Sequence, residues 1–218
     1  ADVSVSVAAV NDAPVLADVS DVSFDEDGSG SISLSADDVD GDDLTFGISG
    51  GSDDVAATLD GSSVSFDSSD NYNGSASFVV SVTDGEFTDS QTITVTVNAV
   101  NDAPTANAAS GQTDEDQSVV IALSGDDIDG DNLTFTLESD GANGSVTLDG
   151  SLATYAPNGN YFGDDSFTFS VSDGEYSATA DVSVSVAAVN DAPVLADVSD
   201  VSFDEDGSGS ISLSADDV

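Results

Sequence analysis

Apolar side chains alternate with small polar ones along most of this sequence. Runs such as "DVSVSVAAV", "TITVTVNAV" and "DSFTFSVS" place Val, Ile or Phe at every second position, with Ser or Thr between them. A period of two is typical of β-strands that have one buried face and one solvent face. Clusters of Gly, Asn and Asp such as "DGSGS" and "TDGE" separate the runs and predict tight turns. No stretch shows a sustained helical period.

The alternation therefore predicts an all-β protein. In the first complete repeat it places short strands near residues 21–24, 30–36, 43–48, 55–59, 62–66, 75–83 and 87–98. Seven such strands in about 90 residues pack most simply as an immunoglobulin-like β-sandwich, in which two sheets enclose the inward-facing apolar residues. We expect tandem seven-stranded sandwiches of this kind, arranged end to end.

One pentapeptide, "VNDAP", divides the sequence into repeats. It occurs at residues 10–14, 100–104 and 189–193, and residues 1–39 are identical to residues 180–218. The repeating unit is thus a pair of unlike domains with a period of 179 residues, the sum of the spacings 90 and 89. Pro fixes its own φ and pushes the preceding Ala to an extended backbone, so the linker is expected to be stiff.

The repeats predict the domain organisation. The expected segments are the last strand of a preceding domain (1–9), two complete domains (10–99 and 100–188) and the first strands of a following domain (189–218). The sequence is therefore expected to be a window from a longer array.

The composition restricts the partners of the chain. Its 218 residues include 44 Asp and Glu but no Lys, Arg or His, which gives a net charge of −44. Nucleic acids and membrane surfaces are not expected partners, because phosphate and anionic lipid are bound mainly through Lys and Arg. Without Cys or His, only hard oxygen ligands remain for a metal. High charge with few aromatic residues is also typical of disorder, but a disordered chain has no reason to maintain strict alternation.

Acidic clusters recur at corresponding positions of each repeat. In a sandwich whose strands run up and down, the loops after the second and sixth strands lie at one end, which also receives the incoming linker. Asp38, Asp40 and Asp84 are therefore expected to converge on Asn11 and Asp12. Corresponding groups are expected in the second repeat and, in part, in the third copy: Asn101, Asp102, Asp127, Asp129, Asp173, Asn190, Asp191 and Asp217.

Such a group of oxygen ligands suits calcium. Carboxylates, an Asn amide and backbone carbonyls can supply about four or five of the roughly six to eight oxygens that Ca²⁺ takes, and water the remainder. Mg²⁺ demands tighter octahedral geometry and fits less well. Each cluster alone has a simpler explanation, because Asp-Gly is common in turns and an acidic surface also suits salty surroundings. Their coincidence at every linker favours a metal site.

The sequence resembles cadherin-type repeats, and more closely the bacterial cadherin-like tandem repeats of very large secreted adhesins. "DVD" at 38–40, "DID" at 127–129 and "NDAP" in each linker are similar to the D-x-D and linker motifs of cadherins. The resemblance implies that Glu26 and Glu115, which are similar to the first-strand Glu of that family, also ligate calcium between adjacent domains. The L-D-R-E motif has no clean counterpart, and the residues that could replace it are Asp67, Asp70, Asp164 and Asp165.

Two functions remain open. An enzyme is not expected, because His, Cys and Lys are absent and nothing indicates the aromatic-walled cleft of a paired-carboxylate glycosidase. The first hypothesis is a calcium-stiffened repeat segment of an extracellular stalk or filament, secreted by a bacterium as an adhesin or biofilm matrix fibre. The second is an adhesion module that recognises glycans or another cell's repeats. Loops of Ser, Thr and Asp without aromatic or Arg anchors favour the first. The expected partners are neighbouring repeats of the same array and, beyond them, other cells or matrix.

Overall fold

The computed structural model describes residues 2–217. Residues 1 and 218, the outer ends of the predicted first and last segments, lie outside this range. Within residues 2–217 every regular element is a β-strand. No helix in this range is long and apolar enough to span a bilayer. The chain divides into two compact units, Ala1–Val100 (unit 1) and Asn101–Val218 (unit 2).

Short strands joined by tight turns form unit 1. In chain order its described strands are β1 (Val15–Leu16), β2 (Val22–Asp25), β3 (Ser29–Ser33), β4 (Ala36–Asp37), β5 (Thr45–Gly50), β6 (Val55–Asp60), β7 (Ser63–Ser68), β8 (Gly74–Thr83) and β9 (Thr88–Asn98).

Two sheets enclose the core of unit 1. One has the strand order β2-β9-β8-β5 and the other β3-β7-β6, while β1 pairs with β4 beside them. Strand β2 runs parallel to β9, with Val22 opposite Val95, and the other pairs described in this unit are antiparallel. The inward-facing Val64, Phe66 and Val95 are fully buried. The apolar half of the alternating pattern is therefore the half that leaves water, which is the main driving force for packing the two sheets.

Unit 2 repeats this arrangement with different side chains. Its described strands are β10 (Thr105–Asn107), β11 (Ala109–Asp114), β12 (Val119–Ala122), β13 (Ser124–Asp126), β14 (Thr134–Ser139), β15 (Gly144–Asp149), β16 (Leu152–Pro157), β17 (Gly163–Ser172), β18 (Ser177–Ala187), β19 (Val194–Leu195) and β20 (Ala215–Asp216).

The sheets of unit 2 have the orders β11-β18-β17-β14 and β12-β16-β15, with β10 paired to β13. Again the first strand of the large sheet, β11, runs parallel to its neighbour β18. Tyr155, Phe169 and Val182 are fully buried in the core. The corresponding position to Tyr155 in unit 1 is Phe66, so unit 2 carries one additional hydroxyl group in its interior.

The all-β, tandem immunoglobulin-like fold is confirmed. The strand predicted near residues 21–24 lies at Val22–Asp25, and the strand predicted near 87–98 lies at Thr88–Asn98. The alternation did not predict β1 and β4, because a two-residue pairing leaves no periodic pattern. The predicted domain limits at residues 10, 100 and 189 stay predictions.

Two segments repeat the sequence of the units without their packing. Residues 2–9 are identical to residues 181–188, of which 181–187 lie in β18, yet they form no strand, and Val5 is 83% exposed. Residues 190–217 repeat residues 11–38, and their strands β19 and β20 pair with each other. The same amino-acid sequences therefore occur in both a packed and an unpacked environment within one chain.

Candidate metal centre

The loop that follows β4 in unit 1 gathers three carboxylates. Asp38, Asp40 and Asp42 each offer an oxygen within 4.8 Å of the others. The Oδ1 atom of Asp38 accepts the backbone N–H groups of Asp40 (2.9 Å), Gly41 (3.0 Å) and Asp42 (3.3 Å). Gly41 has φ +78°, a left-handed conformation that glycine adopts without steric cost. The "DVDGD" stretch thus folds back on its first aspartate, and the side chains at alternate positions face one point.

The incoming linker and the β8–β9 hairpin contribute to the same group. The Asn11 side-chain amide donates to Asp84 Oδ2 at 2.9 Å, and the Asp12 N–H donates to Asp40 Oδ2 at 2.7 Å. The other oxygen of Asp84 accepts the N–H groups of Glu86 and Phe87, both at 2.7 Å. The structure therefore brings the predicted linker residues of unit 1 to the carboxylates of the predicted loops.

Unit 2 has the same arrangement. Asn101 donates to Asp173 Oδ2 at 2.9 Å, and the Asp102 N–H donates to Asp129 Oδ2 at 2.8 Å. The Oδ1 atom of Asp127 accepts the N–H groups of Asp129 (3.0 Å) and Asp131 (3.1 Å). Asp127, Asp129 and Asp131 again offer oxygens within 4.8 Å of one another. The nearly identical loop and linker motifs of the two units thus form the same geometry twice.

Asp42 and Asp131 were not among the residues predicted from the sequence. They complete the two carboxylate triads in the loops after β4 and β13. The signal was present in "DVDGD" and "DIDGD", because carboxylates at alternate positions around a left-handed Gly can bind one cation together. The prediction stopped at the second aspartate of each motif.

Glu26 and Glu115 lie at the opposite end of their own units. Glu26 follows β2, and its N–H donates to the carbonyl of Asn98, the last residue of β9, at 2.9 Å. Asp84 precedes the first residue of β9 and therefore lies at the other end of that strand. Glu26 Oε1 accepts the N–H of Val100 at 2.6 Å. Glu115 is placed in the same way and accepts the N–H of Val189 at 2.6 Å. Within a unit, the glutamate therefore holds the outgoing chain and does not join the aspartate group.

The third copy of the linker is arranged differently. The side chain of Asn190 donates to the backbone carbonyl of Asp191 at 2.8 Å, as Asn101 does to that of Asp102 at 3.1 Å, but Asn101 also donates to the carboxylate of Asp173. Asp217, the counterpart of Asp38, is exposed. These residues keep the sequence of the group but do not show its assembled geometry.

Asp165 has a structural role, which differs from the metal-binding role that its sequence position suggested. It was one of the residues that could replace the missing cadherin motif. Its Oδ2 accepts the hydroxyl of Tyr155 at 2.8 Å and the N–H of Asn143 at 2.9 Å, and its Oδ1 accepts the N–H groups of Ala142 and Ser166. Both oxygens are already used within unit 2, so Asp165 acts as a structural acceptor.

Hydrogen bonds and mutual repulsion divide the acidic residues of the site. The N–H of Phe87, and then that of Glu86 and the amide of Asn11, lower the pKa of Asp84 against partial desolvation. Although Asp42 is exposed, partial desolvation in the loop and then repulsion from Asp38 and other neighbouring carboxylates raise its pKa. The site thus stabilises the charged form of Asp84, whereas the neighbouring carboxylates destabilise the charged form of Asp42.

Several carboxylate oxygens lack the partner that burial requires. Among the residues that the structure describes, Asp38 Oδ2, Asp127 Oδ2 and Glu26 Oε2 are shielded from solvent and have no hydrogen-bond partner. Buried charge is costly unless it is paired or coordinates a metal. No Lys, Arg or His exists in the chain to pair with them. The donor set of hard, charged oxygens fits a divalent cation with a preference for oxygen, such as Ca²⁺.

Replacement of Asp42 by Asn is expected to act in opposite directions with and without calcium. Because the raised pKa of Asp42 reports unfavourable charge in the folded state, Asp42→Asn should slightly increase the melting temperature in chelator near neutral pH. With calcium present it should weaken binding, because one charged ligand is lost. Differential scanning calorimetry in both buffers measures the two effects. A shift of the same sign in both buffers would contradict this assignment.

The fold and the acidic loops can be compared with known proteins. A family model described as a bacterial Ig domain matches residues 11–96 and again residues 101–185. No curated protein matches the chain. Among solved structures, the chain is similar to human protocadherin-24 EC1-2 (Form II), with a TM-score of 0.55 and 19% identity over 81% of this chain and 99% of that one. At this identity the likeness shows the fold alone.

Other solved structures align less closely. Drosophila N-cadherin EC1-4 gives a TM-score of 0.37 at 13% identity, over 85% of this chain and 54% of that one. An endo-fucoidan hydrolase from glycoside hydrolase family 107 gives 0.35 at 22% identity, over 81% of this chain. This chain spans 29% of the length of that hydrolase. These low scores carry no argument about activity.

Proposed function

Since the chain belongs to the bacterial Ig domain family, as tandem copies at residues 11–96 and 101–185, we propose that it is a calcium-stiffened structural segment of an extracellular stalk or filament. Domains of this family usually lie outside the cell or at its surface, and immunoglobulin-like domains are generally not enzymes. Tandem repetition of such units supplies length, and each unit interacts first with its neighbours in the array. An adhesin or matrix fibre is the biological form that this proposal favours.

The observation that carries the proposal is the pair of unpartnered oxygens, Asp38 Oδ2 and Asp127 Oδ2, each inside a three-carboxylate loop. On an acidic surface that binds no ion, such carboxylate oxygens would be exposed to water. A cation site, in contrast, requires carboxylate oxygens that face the ion and are shielded from water. We propose that the ligands in unit 1 are Asn11, Asp12, Asp38, Asp40, Asp42 and Asp84. In unit 2 they are the corresponding residues Asn101, Asp102, Asp127, Asp129, Asp131 and Asp173.

Bound Ca²⁺ would supply positive charge that neutralises these carboxylates, and the chain's own residues would do the rest. Asn11 and Asp12 tie the linker to the loops through Asp84 and Asp40. Once the cation neutralises the loop carboxylates, they no longer repel the linker. The hydrogen bonds of Asn11 and Asp12 can then hold the linker against the loops and restrict its movement. At the opposite end, we propose that Glu26 and Glu115 contribute to cation binding beside the outgoing chain, since Glu26 keeps one unpartnered buried oxygen.

Titration of the ion-free chain with CaCl₂ in a calorimeter tests this proposal. Asp129→Ala should remove the binding at unit 2 and leave that at unit 1, and Asp40→Ala should do the reverse. Asp181→Thr is a matched control, because it removes one charge from the middle of β18 and installs the residue that unit 1 has at that position, Thr92. No heat of binding by the unchanged chain would contradict the proposal, and so would equal loss at both units from either Ala substitution.

A second candidate function has one observation in its favour. Unit 2 has an open groove of about 610 Å³ whose lining includes Ser110, Gln112, Asn143 and Ser185. Such polar groups could bind a glycan, but the residues that line the groove include no aromatic side chain on which a sugar ring could stack. Specific micromolar binding to a glycan array, lost on Asn143→Ala, would favour an adhesion module over a purely structural segment.

A further inference from the structure

Asn is followed directly by Gly at residues 73–74, 143–144 and 158–159. In such a pair the backbone nitrogen of Gly can attack the side-chain amide of the preceding Asn, because glycine has no Cβ to obstruct the approach. The attack closes a five-membered succinimide ring, and the amide nitrogen leaves as ammonia with the proton of the Gly N–H. Water then opens the ring to aspartate or to isoaspartate, in which the main chain runs through the side-chain carbons. The reaction needs an accessible Asn side chain, a free Gly N–H and room for the ring to close.

Two of the three pairs are covered by tyrosine rings. Gly74 and Gly144 are the first residues of β8 and β15. A Cβ added to Gly74 would lie 2.5 Å from the hydroxyl oxygen of Tyr72, and a Cβ added to Gly144 would overlap the ring of Tyr155. The strand and the ring thus restrict, at both pairs, the movement that closure of the succinimide requires.

The third pair is open. Asn158 and Gly159 are exposed in the turn between β16 and β17. Apart from its chain neighbours, a Cβ added to Gly159 would meet no heavy atom nearer than Oδ1 of Asp116, at 3.9 Å. In the described part of the chain the Gly159 N–H donates to no acceptor, and the side-chain amide of Asn158 takes part in no hydrogen bond. The attacking nitrogen and the amide that it attacks are therefore both free.

The fold does not require Asn-Gly at this turn. Unit 1 makes the same turn with Ser69 and Asp70 at the corresponding positions. The N–H of Tyr72 donates to the carbonyl of Ser69 at 3.2 Å, just as that of Tyr161 donates to the carbonyl of Asn158 at 3.0 Å. A side chain at the second position is thus compatible with the turn, and the open reactive pair distinguishes unit 2 from unit 1.

We propose that Asn158 is a site of spontaneous deamidation in the folded chain, whereas Asn73 and Asn143 are protected. The product carries an additional carboxylate, and isoaspartate also lengthens the main chain of the turn by a methylene group. This change disturbs two hydrogen bonds, from the Asn158 N–H to the carbonyl of Asn143 (2.8 Å) and from the Tyr161 N–H to the carbonyl of Asn158 (3.0 Å). Unit 2 therefore alters with age at a turn that stays unchanged in unit 1.

Peptide mapping by mass spectrometry tests this proposal. The full chain is incubated below its melting temperature at mildly alkaline pH, because alkali promotes loss of the Gly N–H proton. It is then digested with pepsin in acid, where the Gly nitrogen keeps its proton and further reaction is slow. The mass gain from exchange of NH₂ for OH should accumulate in the peptide that contains Asn158, and not in those that contain Asn73 or Asn143. Isomerisation at Asp-Gly pairs leaves the mass unchanged and does not interfere.

Two variants with the residues of unit 1 are matched controls. Asn158→Ser should abolish the mass gain in that peptide, and Gly159→Asp should suppress it. In denaturant the three pairs should react at similar rates, because neither strand nor ring then protects two of them. A folded chain in which Asn73 or Asn143 reacts as fast as Asn158 would overturn the proposal. So would an Asn158 peptide of unchanged mass in the folded chain under conditions in which the denatured chain reacts.

Discussion

Removal of calcium is expected to lower the melting temperature of this protein by roughly 10–20 °C, if free calcium was about 100 times its dissociation constant. At that ratio each bound ion adds about 2.7 kcal/mol to the stability of the folded state. One kilocalorie per mole corresponds to about 4–8 °C in a domain of this size. The effect is large because the carboxylates of each loop have no cationic side chain to pair with. Calorimetry with calcium, with magnesium and with chelator measures it.

Two variants separate ion binding from general charge effects in that experiment. Asp38→Asn and Asp127→Asn each keep the Oδ1 acceptor that holds the loop backbone and replace the unpartnered Oδ2 by an amide. We expect the double variant to fold but to melt at the same temperature in calcium and in chelator. An unchanged melting temperature of the parent chain in excess chelator would show that the acidic loops hold no stabilising ion.

The second large effect is expected inside unit 2. Asp165→Ala should destabilise this unit by about 3 kcal/mol, because it leaves the buried Tyr155 hydroxyl without its charged acceptor. This corresponds to a decrease of roughly 10–20 °C in the melting temperature of the unit. Unit 1 has Phe66 and Ala76 at the positions of Tyr155 and Asp165.

Unit 1 therefore suggests the matched control, Tyr155→Phe/Asp165→Ala. Removal of both polar partners should cost much less than Asp165→Ala alone, since the buried hydroxyl disappears with its acceptor. The N–H groups of Ala142 and Asn143 lie at an open groove, where water can replace the carboxylate. Thermal melts of the three chains decide the matter: a double variant as unstable as Asp165→Ala would show that the Tyr155–Asp165 contact is not the source of the loss.

The same contact has a defined pH dependence. Burial works to raise the pKa of Asp165, but the hydrogen bonds from Tyr155, Asn143, Ser166 and Ala142 outweigh it and lower the pKa. A lowered folded-state pKa means that the stabilisation is present above the unfolded-state value of about 4 and is lost as the pH falls through the folded-state value. The difference in stability between the parent chain and Asp165→Ala should therefore narrow in acid.

Periodicity predicted the sheets because burial of one face leaves a mark at every second residue. The strand at Gly74–Thr83, for example, was predicted at 75–83, and the structure buries Phe78, Val80 and Val82 at alternate positions of it. The pairing of Val15 with Asp37 has no such signature. It depends on where the chain returns after β3, which is decided by packing of the whole unit.

The acidic loops were predictable in part for a similar reason. Asp38, Asp40 and Asp84 could be placed at one end because strand direction alone sets the end at which a loop lies. The role of Asp165 could not be predicted, because an aspartate that starts a strand looks like any other turn residue in sequence. What distinguishes it is the hydroxyl of Tyr155, ten residues earlier along the chain and on a strand of the other sheet.

The parallel pairing of the first and last long strands decides how each unit responds to tension. When the two ends of the chain are pulled apart, β2 and β9 are drawn in opposite directions along their shared ladder, so its hydrogen bonds bear the load together in shear and do not open one after another. The ladder has four residue pairs in unit 1 and six in unit 2, where β11 pairs with β18. Under a pulling force, unit 1 therefore yields and lengthens first, while unit 2 keeps its shape.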